Sequence, residues 1–226
     1  MKSLNNWLLV LSVLSCFGCS SPVHEDDRGC AFVSDSIQYR VEFMSAGCVR
    51  ILSFPEGDTL VTRRLVVDSE KPAFKDYKWE DTGQKLLFRT RELSVVFDKA
   101  DVAFTFQETS TGKLLLKEKG DRKARNFKRS VAGGEQCLEV TQRFVPTEDE
   151  AIYGLGQYQN GIMNYRGKSV LLLQANMDIV NPFLISTNGY GVLWDNYSST
   201  KFEDTKEGYS FTSEVGDASD YYFVYG

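Results

Sequence analysis

The amino-acid sequence predicts an all-β protein, a large antiparallel β-sandwich. Apolar residues alternate with polar ones at period two, as in residues 37–43, where Ile37, Tyr39, Val41 and Phe43 fall on one face. Further strand-like runs recur at short intervals, separated by Gly, Asn, Asp and Pro. No segment longer than a turn combines helical periodicity with helix caps. These three observations together favour two packed sheets in a single domain.

The predicted strands follow one another along the body of the chain. The first hairpin consists of residues 37–43 and 49–54, joined at Ala46-Gly47. The other strands predicted before residue 150 are residues 60–67, 85–90, 93–97, 102–106, 114–117 and 136–144. The charge-rich run 117–129 contains both signs and one aromatic residue, which is typical of a solvated loop and not of a nucleic-acid contact.

The densest part of the sequence is residues 150–198. It contains a buried strand at 170–173, a polar loop at 174–178, and two strands at 182–186 and 190–194. Asn188-Gly189 separates the last two runs and predicts a tight hairpin with positive φ at both residues. Gly154 and Gly156 predict a glycine turn, but the third glycine and the helix of a dinucleotide-binding motif are missing.

The first 18 residues have the features of an export signal. Lys2 supplies a positive charge, and the apolar run 7–17 is shorter than the roughly 20 residues that span a bilayer. The run ends at Gly18-Cys19-Ser20, which is similar to a bacterial lipoprotein signal with Cys19 as the lipidated residue. Cys16 is the alternative acceptor, and an ordinary cleaved signal is the alternative interpretation. We therefore expect an exported chain, anchored by lipid to a bacterial membrane at the periplasm or cell surface, with residues 19–30 as an acidic tether.

Composition argues against several kinds of chemistry. The single histidine, His24, lies in the predicted tether, so neither a nucleophilic triad nor a metal site can be built around it, and no cofactor is expected. The clustered acids 148–150 are expected to splay into water and not to form a catalytic pair. Cys30 and Cys48 could pair in an oxidising compartment, although free thiols are favoured because the body holds three cysteines. The mild net charge of −5 and the lack of a basic stripe argue against a nucleic-acid partner.

A resemblance to a known family rests on the motifs YGLGQ, N-x-RG, Q-x-N-x-x-I and PF-x-x-S-x-x-GYG-x-LWDN between residues 153 and 196. Over residues 35–226 the chain resembles the N-terminal β-sandwich domain of glycoside hydrolase family 31, the α-glucosidases and α-xylosidases. The resemblance implies a galactose mutarotase-like supersandwich over residues 31–226. It also implies that the two catalytic aspartates belong to a (β/α)8 barrel that follows the sandwich, so that residues 1–226 contain no catalytic residue.

The polar loop 174–181 is the best candidate for ligand contact. Amides and carboxylates recognise sugar hydroxyls because they accept hydrogen bonds and, for amides, donate them. The resemblance implies that this loop reaches the barrel and places Asn176, Met177 and Asp178 near the sugar. The alternative is that the loop only packs the domain interface. The aromatic residues of this region are read as core, with sugar stacking as the alternative; they are Tyr153, Tyr158, Tyr165, Tyr190, Trp194 and Tyr197.

Two functional interpretations follow. In the first, the chain is the non-catalytic, carbohydrate-contacting part of an exported retaining α-glycosidase. Its partners are then an oligosaccharide with α-linked xylose or glucose, the catalytic barrel, and the membrane through the lipid anchor. In the second, the chain is a stand-alone surface carbohydrate-binding or scaffold lipoprotein.

Overall fold

A computed structural model describes residues 22–58, 66, 73–120 and 126–226. Within these ranges the regular structure consists of β-strands, and no helix is long and apolar enough to cross a membrane. The strands form two antiparallel sheets, which confirms the predicted fold class. Cys16 and Cys19 lie outside the described residues, and so does the strand predicted at 60–67 apart from Val66.

The first sheet, sheet A, has the strand order β1-β2-β3-β4-β18-β15-β14-β12. Its strands are β1 His24–Glu25, β2 Cys30–Ser34, β3 Ile37–Ser45, β4 Cys48–Pro55, β12 Ile152–Gln157, β14 Ile179–Ser186, β15 Tyr190–Trp194 and β18 Ser219–Tyr225. Strand β18 therefore joins the opening strands of the chain to the strands of the 150–198 region.

The second sheet, sheet B, has the order β13-β16-β17-β11-β9-β8-β7-β6-β5, and β10 pairs with the first half of β11. Its strands are β5 Lys78–Asp81, β6 Lys85–Arg89, β7 Leu93–Asp98, β8 Ala103–Glu108, β9 Leu114–Glu118, β10 Phe127–Ala132, β11 Glu135–Val145, β13 Ser169–Leu172, β16 Thr200–Thr205 and β17 Gly208–Gly216.

Aromatic rings hold the two sheets together. Phe106 of sheet B stacks on Phe223 of sheet A with ring centroids 4.2 Å apart, and Trp194 of sheet A stacks on Phe211 of sheet B at 5.6 Å. At the other end Phe32 meets Phe97 at 4.8 Å. Offset and tilted aromatic pairs contribute roughly 0.5–1.5 kcal/mol each beyond the burial of their area. The core is thus continuous from one end of the sandwich to the other.

A buried carboxylate also links the sheets. Glu118 on β9 accepts hydrogen bonds from the Tyr221 hydroxyl (2.7 Å), the Gln142 amide (2.9 Å) and the backbone N–H of Phe104 (2.7 Å). Burial raises the pKa of Glu118 to about 7, although the hydrogen bonds from Phe104 and Tyr221 act in the opposite direction. The carboxyl group that fixes Tyr221 is therefore costly to ionise.

The far face of sheet A contains a buried ion network. Arg50 is only 1% exposed, and its guanidinium group donates to both oxygens of Asp220 and, at 3.1 Å, to Glu42. Tyr222 lies beneath the same guanidinium group, which is 5.6 Å from the ring centroid. Burial lowers the pKa of Arg50, but hydrogen bonding and charge from Asp220 outweigh burial and shift it upward. Because Asp220 and Tyr222 belong to β18, this network fastens β18 to β4.

The predicted tether near the N-terminus needs correction. The predicted tether ends early, because β1 pairs with β2 and Gly29 and Cys30 are buried. Asp26 explains the fold-back: its carboxylate accepts the backbone N–H groups of Arg28 and Gly29 and binds the Arg40 guanidinium. His24 is exposed, as predicted. Cys30 and Cys48 are free thiols, which confirms the favoured state.

Two charged segments also differ from expectation. In the run 117–129, Glu118 is buried and Phe127–Ala132 forms strand β10; residues 121–125 lie outside the described residues. In the acidic turn, Glu148 and Asp149 are exposed, but Glu150 is 5% exposed. The Glu150 carboxylate accepts hydrogen bonds from the Tyr190 hydroxyl and from the backbone N–H and hydroxyl of Thr147. Hydrogen bonding compensates the burial of these carboxylates.

Glu118 provides a test of the inter-sheet link. Since its folded pKa is about 7 and its unfolded value is 4.5, the folded chain binds more protons between these pH values, and stability falls as pH rises through that window. The loss should be on the order of 3 kcal/mol. Glu118→Gln removes the ionisable group, so the difference in unfolding free energy between variant and wild type should increase in favour of the variant from pH 4.5 to pH 8.

Urea denaturation across this range measures the effect, with Glu148→Gln as the exposed control. A stability difference between Glu118→Gln and wild type that is constant with pH would show that Glu118 does not titrate in this window.

Candidate functional site

The candidate site lies at the edge of the sandwich where the chain passes from one sheet to the other. Strand β13 is the edge strand of sheet B, and β14 lies next to the edge strand β12 of sheet A. The segment between β13 and β14 therefore crosses from one sheet to the other. It contains Asn176, Met177 and Asp178, the three residues that the sequence singles out.

The Gln174 side chain bonds to two backbone groups of the loop, and we call these two hydrogen bonds the Gln174 clamp. The Gln174 amide donates to the carbonyl oxygen of Asp178 (2.9 Å) and accepts from the backbone N–H of Val180 (3.1 Å). Ala175 and Asp178 form an isolated bridge, and Met177 takes a left-handed φ of 70°. The conformation leaves Asn176 exposed and Met177 66% exposed, while Asp178 is half-buried. The loop thus displays an amide and a thioether at its tip.

The YGLGQ motif supports this loop from below. The sequence predicts a glycine turn here, but the motif forms a bulged strand. Gly154, Leu155 and Gly156 all have positive φ, and the register shifts against β14. A Cβ atom on Gly156 would lie 2.1 Å from the carbonyl oxygen of Ile179, so only glycine fits there. The bulge lets β14 approach closely where it leaves the loop.

Tyr158 packs nearby and donates its hydroxyl to the carbonyl oxygen of Leu155 (3.0 Å). Burial, followed by the charges of Tyr165 and Asp178, raises the pKa of Tyr158 to about 12. The phenol therefore stays neutral at physiological pH and acts as a hydrogen-bond donor.

A groove of about 350 Å³ runs beside the loop. Leu172, Val180 and Leu193 supply apolar lining, while Asn181 and Tyr197 bring polar and aromatic groups. Its volume is within the range of small-molecule sites. Asn181 is exposed and Tyr197 is 62% exposed, so both side chains are accessible to a ligand.

The N-x-RG motif has a structural role. Arg166 donates to Asp204 (2.9 Å) and to the carbonyl oxygens of Thr147 and Glu150 (3.1 and 2.8 Å). Asn164 accepts the backbone N–H of Ile152 (3.1 Å). These hydrogen bonds tie the loop after β12 to β16, and they pair Asp204 with Arg166.

The six aromatic candidates differ in burial. Tyr165, Tyr190 and Trp194 are buried in the core, as predicted, and Tyr158 is partly buried against it. Tyr153 and Tyr197 are exposed. The predicted buried strand at 170–173 is an edge strand, in which Leu172 is buried but Leu171 is 52% exposed. Edge strands and central strands can show the same sequence alternation with one buried face, so the pattern cannot show that β13 lies at an edge.

No group of three or more His, Cys, Asp or Glu side chains among residues 22–58, 66, 73–120 and 126–226 could hold a metal ion. The carboxylate of Asp204, beside the turn after β16, is bound by the Arg166 guanidinium and the backbone N–H of Gly167. The arrangement is suited to hydrogen bonding a polar ligand.

Comparison with known proteins identifies the family. The family model of the glycosyl hydrolase 31 N-terminal galactose mutarotase-like domain matches residues 38–203. The chain belongs to this family. An α-xylosidase of Saccharolobus solfataricus is 32% identical over 206 residues, covering 84% of the chain and 26% of the relative. The chain thus spans about a quarter of the length of that enzyme.

Solved structures agree with this assignment. The family 31 α-xylosidase of Xanthomonas citri is 31% identical, with a TM-score of 0.70 over 81% of this chain and 20% of that one. A family 31 α-xylosidase from a soil metagenome, solved with xylose, has a TM-score of 0.75 over 91% of this chain and 32% of that one. At 21% identity the latter comparison supports the fold alone. The predicted supersandwich is confirmed.

Removing the Gln174 clamp should loosen the loop without unfolding the domain. Gln174→Ala deletes both hydrogen bonds, so the backbone N–H of Val180 should lose most of its protection against hydrogen exchange. Exposed hydrogen bonds contribute only about 1 kcal/mol, so the melting temperature should change by a few degrees at most.

NMR-detected exchange on the 174–181 amides measures the effect, and Asn160→Ala, in a turn outside the loop, is the matched control. Unchanged Val180 protection in Gln174→Ala would contradict the clamp.

Proposed function

We propose that this chain forms the carbohydrate-contacting, non-catalytic N-terminal sandwich of an exported retaining α-glycosidase of the α-xylosidase or α-glucosidase type. The observation that carries the proposal is the loop 174–181, in which Gln174 bonds to the backbone of Asp178 and Val180 while Asn176 and Met177 are exposed. Family membership and the α-xylosidases among its relatives support the substrate class.

The loop chemistry suits a pyranose. The Asn176 amide can donate to one hydroxyl and accept from another, and Asp178 can accept from a third. Met177 offers an apolar, adaptable surface to the C–H face of the ring. The two hydrogen bonds of Gln174 restrain the loop backbone and so reduce the conformational entropy that is lost when the sugar binds. Asn176, Met177 and Asp178 are thus the proposed substrate-binding residues.

The chemistry itself is assigned to a partner domain. A retaining glycosidase needs two carboxyl groups about 5–5.5 Å apart, one as nucleophile and one as general acid/base. Asp204 is committed to Arg166 and Gly167, and Glu150 to Tyr190 and Thr147. The sandwich is therefore proposed to help bind the sugar, with a catalytic barrel supplying both aspartates.

The proposed location is the periplasm or the cell surface, with the chain anchored by lipid to a bacterial membrane. Residues 1–18 act as the export signal, and Cys19 carries the lipid that anchors the chain. This placement would bring the sandwich and its catalytic partner to oligosaccharides in the periplasm or at the cell surface.

Sugar contact can be tested on the mature chain by NMR. Titration with an α-xylosyl-glucose disaccharide, and separately with maltose, should shift the amide signals of residues 174–181 and leave those of β6–β8 unchanged. The double variant Asn176→Ala/Asp178→Ala should weaken binding at least about tenfold, because the hydrogen bonds lost are worth roughly 1 kcal/mol each.

Glu148→Ala serves as the control, since Glu148 is an exposed acid outside the loop. Shifts confined to other surfaces, or no shifts at all at saturating sugar, would overturn the proposed contact. Binding through the loop to a wide range of sugars with equal affinity would favour the stand-alone binding lipoprotein over an α-glycosidase part.

A further inference from the structure

We infer that the lipidated chain stands on the membrane with its β1–β5 edge toward the bilayer and the loop 174–181 at the far edge, facing away from the lipid. The inference rests on the proposed lipidation of Cys19. It adds an orientation and an interaction surface, which follow from the strand order and from the short connection between Cys19 and the sandwich.

The connection is short because the sandwich begins early. Strand β1 starts at His24, five residues after Cys19. A fully extended chain spans at most about 3.3–3.6 Å per residue, so His24 can lie no more than about 18 Å from the Cα atom of Cys19. A freely solvated tether over residues 19–30 would have allowed about twice that reach.

Strand β1 is fixed to both sheets at this edge. It pairs with β2 of sheet A. The Glu25 carboxylate accepts hydrogen bonds from the Tyr77 hydroxyl (2.8 Å) and the Trp79 indole N–H (3.0 Å). Trp79 lies in β5, the edge strand of sheet B, and Tyr77 directly precedes it. Lys75 adds a hydrogen bond to the carbonyl oxygen of Asp26 (2.7 Å). We call Glu25, Tyr77 and Trp79 the N-terminal clasp. A pull on the chain at residue 23 is thereby transmitted to both sheets.

The loop 174–181 lies at the opposite edge. In sheet A, β14 is six strands away from β1, and in sheet B, β13 and β5 are the two ends of the order. At about 4.8 Å between neighbouring strands, six spacings put about 29 Å between β1 and β14. Strand β1 and the loop 174–181 therefore lie at opposite lateral edges of the sandwich.

Charge is not what selects this orientation. A groove of about 600 Å³ at the β5 edge is lined by side chains of both signs. The basic ones are Lys78, Arg89 and Arg91, and the acidic ones are Asp76 and Glu80. With both signs present, attraction to anionic headgroups gives little net preference. The orientation should therefore persist in salt, unlike one set by a basic surface.

Paramagnetic relaxation gives a direct test. The acylated full chain is placed in nanodiscs that contain a gadolinium-chelating lipid, and mass spectrometry first confirms acylation of Cys19. The amide signals of β1, β2 and β5 should be broadened strongly, and those of residues 174–181 should be unaffected at both low and high salt.

The matched control inserts twenty Gly/Ser residues between Ser21 and Pro22, which should spread the broadening over the whole surface. In Glu25→Ala, which opens the N-terminal clasp, the contrast between the two edges should fall. Equal broadening at both edges of the acylated wild type, or stronger broadening at the loop, would overturn the orientation while leaving the anchor intact. Absence of acylation at Cys19 would overturn the anchor, and the orientation with it.

Discussion

The insertion of β18 between β4 and β15 is the interaction on which the rest of the structure depends. Without it, sheet A would consist of two separate pieces, β1 to β4 and β15-β14-β12. Strand β18 is held on both faces. Tyr221 and Phe223 enter the aromatic core, where Tyr221 meets Glu118 and Phe223 stacks on Phe106, and Asp220 binds Arg50 on the opposite face.

This central strand also couples the two lateral edges. The edge with the N-terminal clasp belongs to the piece that ends at β4, and the edge with loop 174–181 belongs to the piece that begins at β15. The distance and angle between the proposed anchor and the proposed sugar contact are therefore set by β18. Because its contacts join residues up to 170 positions apart in sequence, sheet A is completed only once β18 is available.

Much of the fold could be predicted from local patterns. The alternation in β3, the short strands β6 to β9 and the 190–194 strand appear where period two predicts them, because each has one face in the core. Strands held by non-local contacts are harder to predict. Strand β1 and the first residue of β2 fall in the predicted tether, and the first half of β10 falls in the predicted solvated loop. No local pattern singles out β5, β16 or β17.

The errors at turns have a physical cause as well. The Asn188-Gly189 hairpin has a three-residue loop after Ser186 in which only Gly189 has a positive φ, of 84°. Asn188 instead donates its side-chain amide to the carbonyl oxygen of Leu115 in β9 (2.9 Å). Glu118 and Glu150 are buried for a similar reason, since Tyr221 and Tyr190 reach them from distant strands. Such partners are far away in sequence and leave no local pattern.

The amides and the motif of loop 174–181 predict where the candidate site lies in the sequence, but they do not predict the contacts that shape it. Polar composition indicated loop 174–181, and the resemblance to family 31 gave its residues a role. The Gln174 clamp, the left-handed Met177 and the supporting bulge at Gly156 depend on how β12, β13 and β14 meet, which the sequence pattern does not encode.

The most direct test of this account is to compare the NMR spectrum of the chain with that of a chain ending at Asp217, which lacks β18. Removal of β18 should abolish the dispersed amide signals of both edges, including residues 174–181, and the cooperative unfolding transition with them. A chain ending at Asp217 that kept dispersed signals at both edges would contradict the central role of β18.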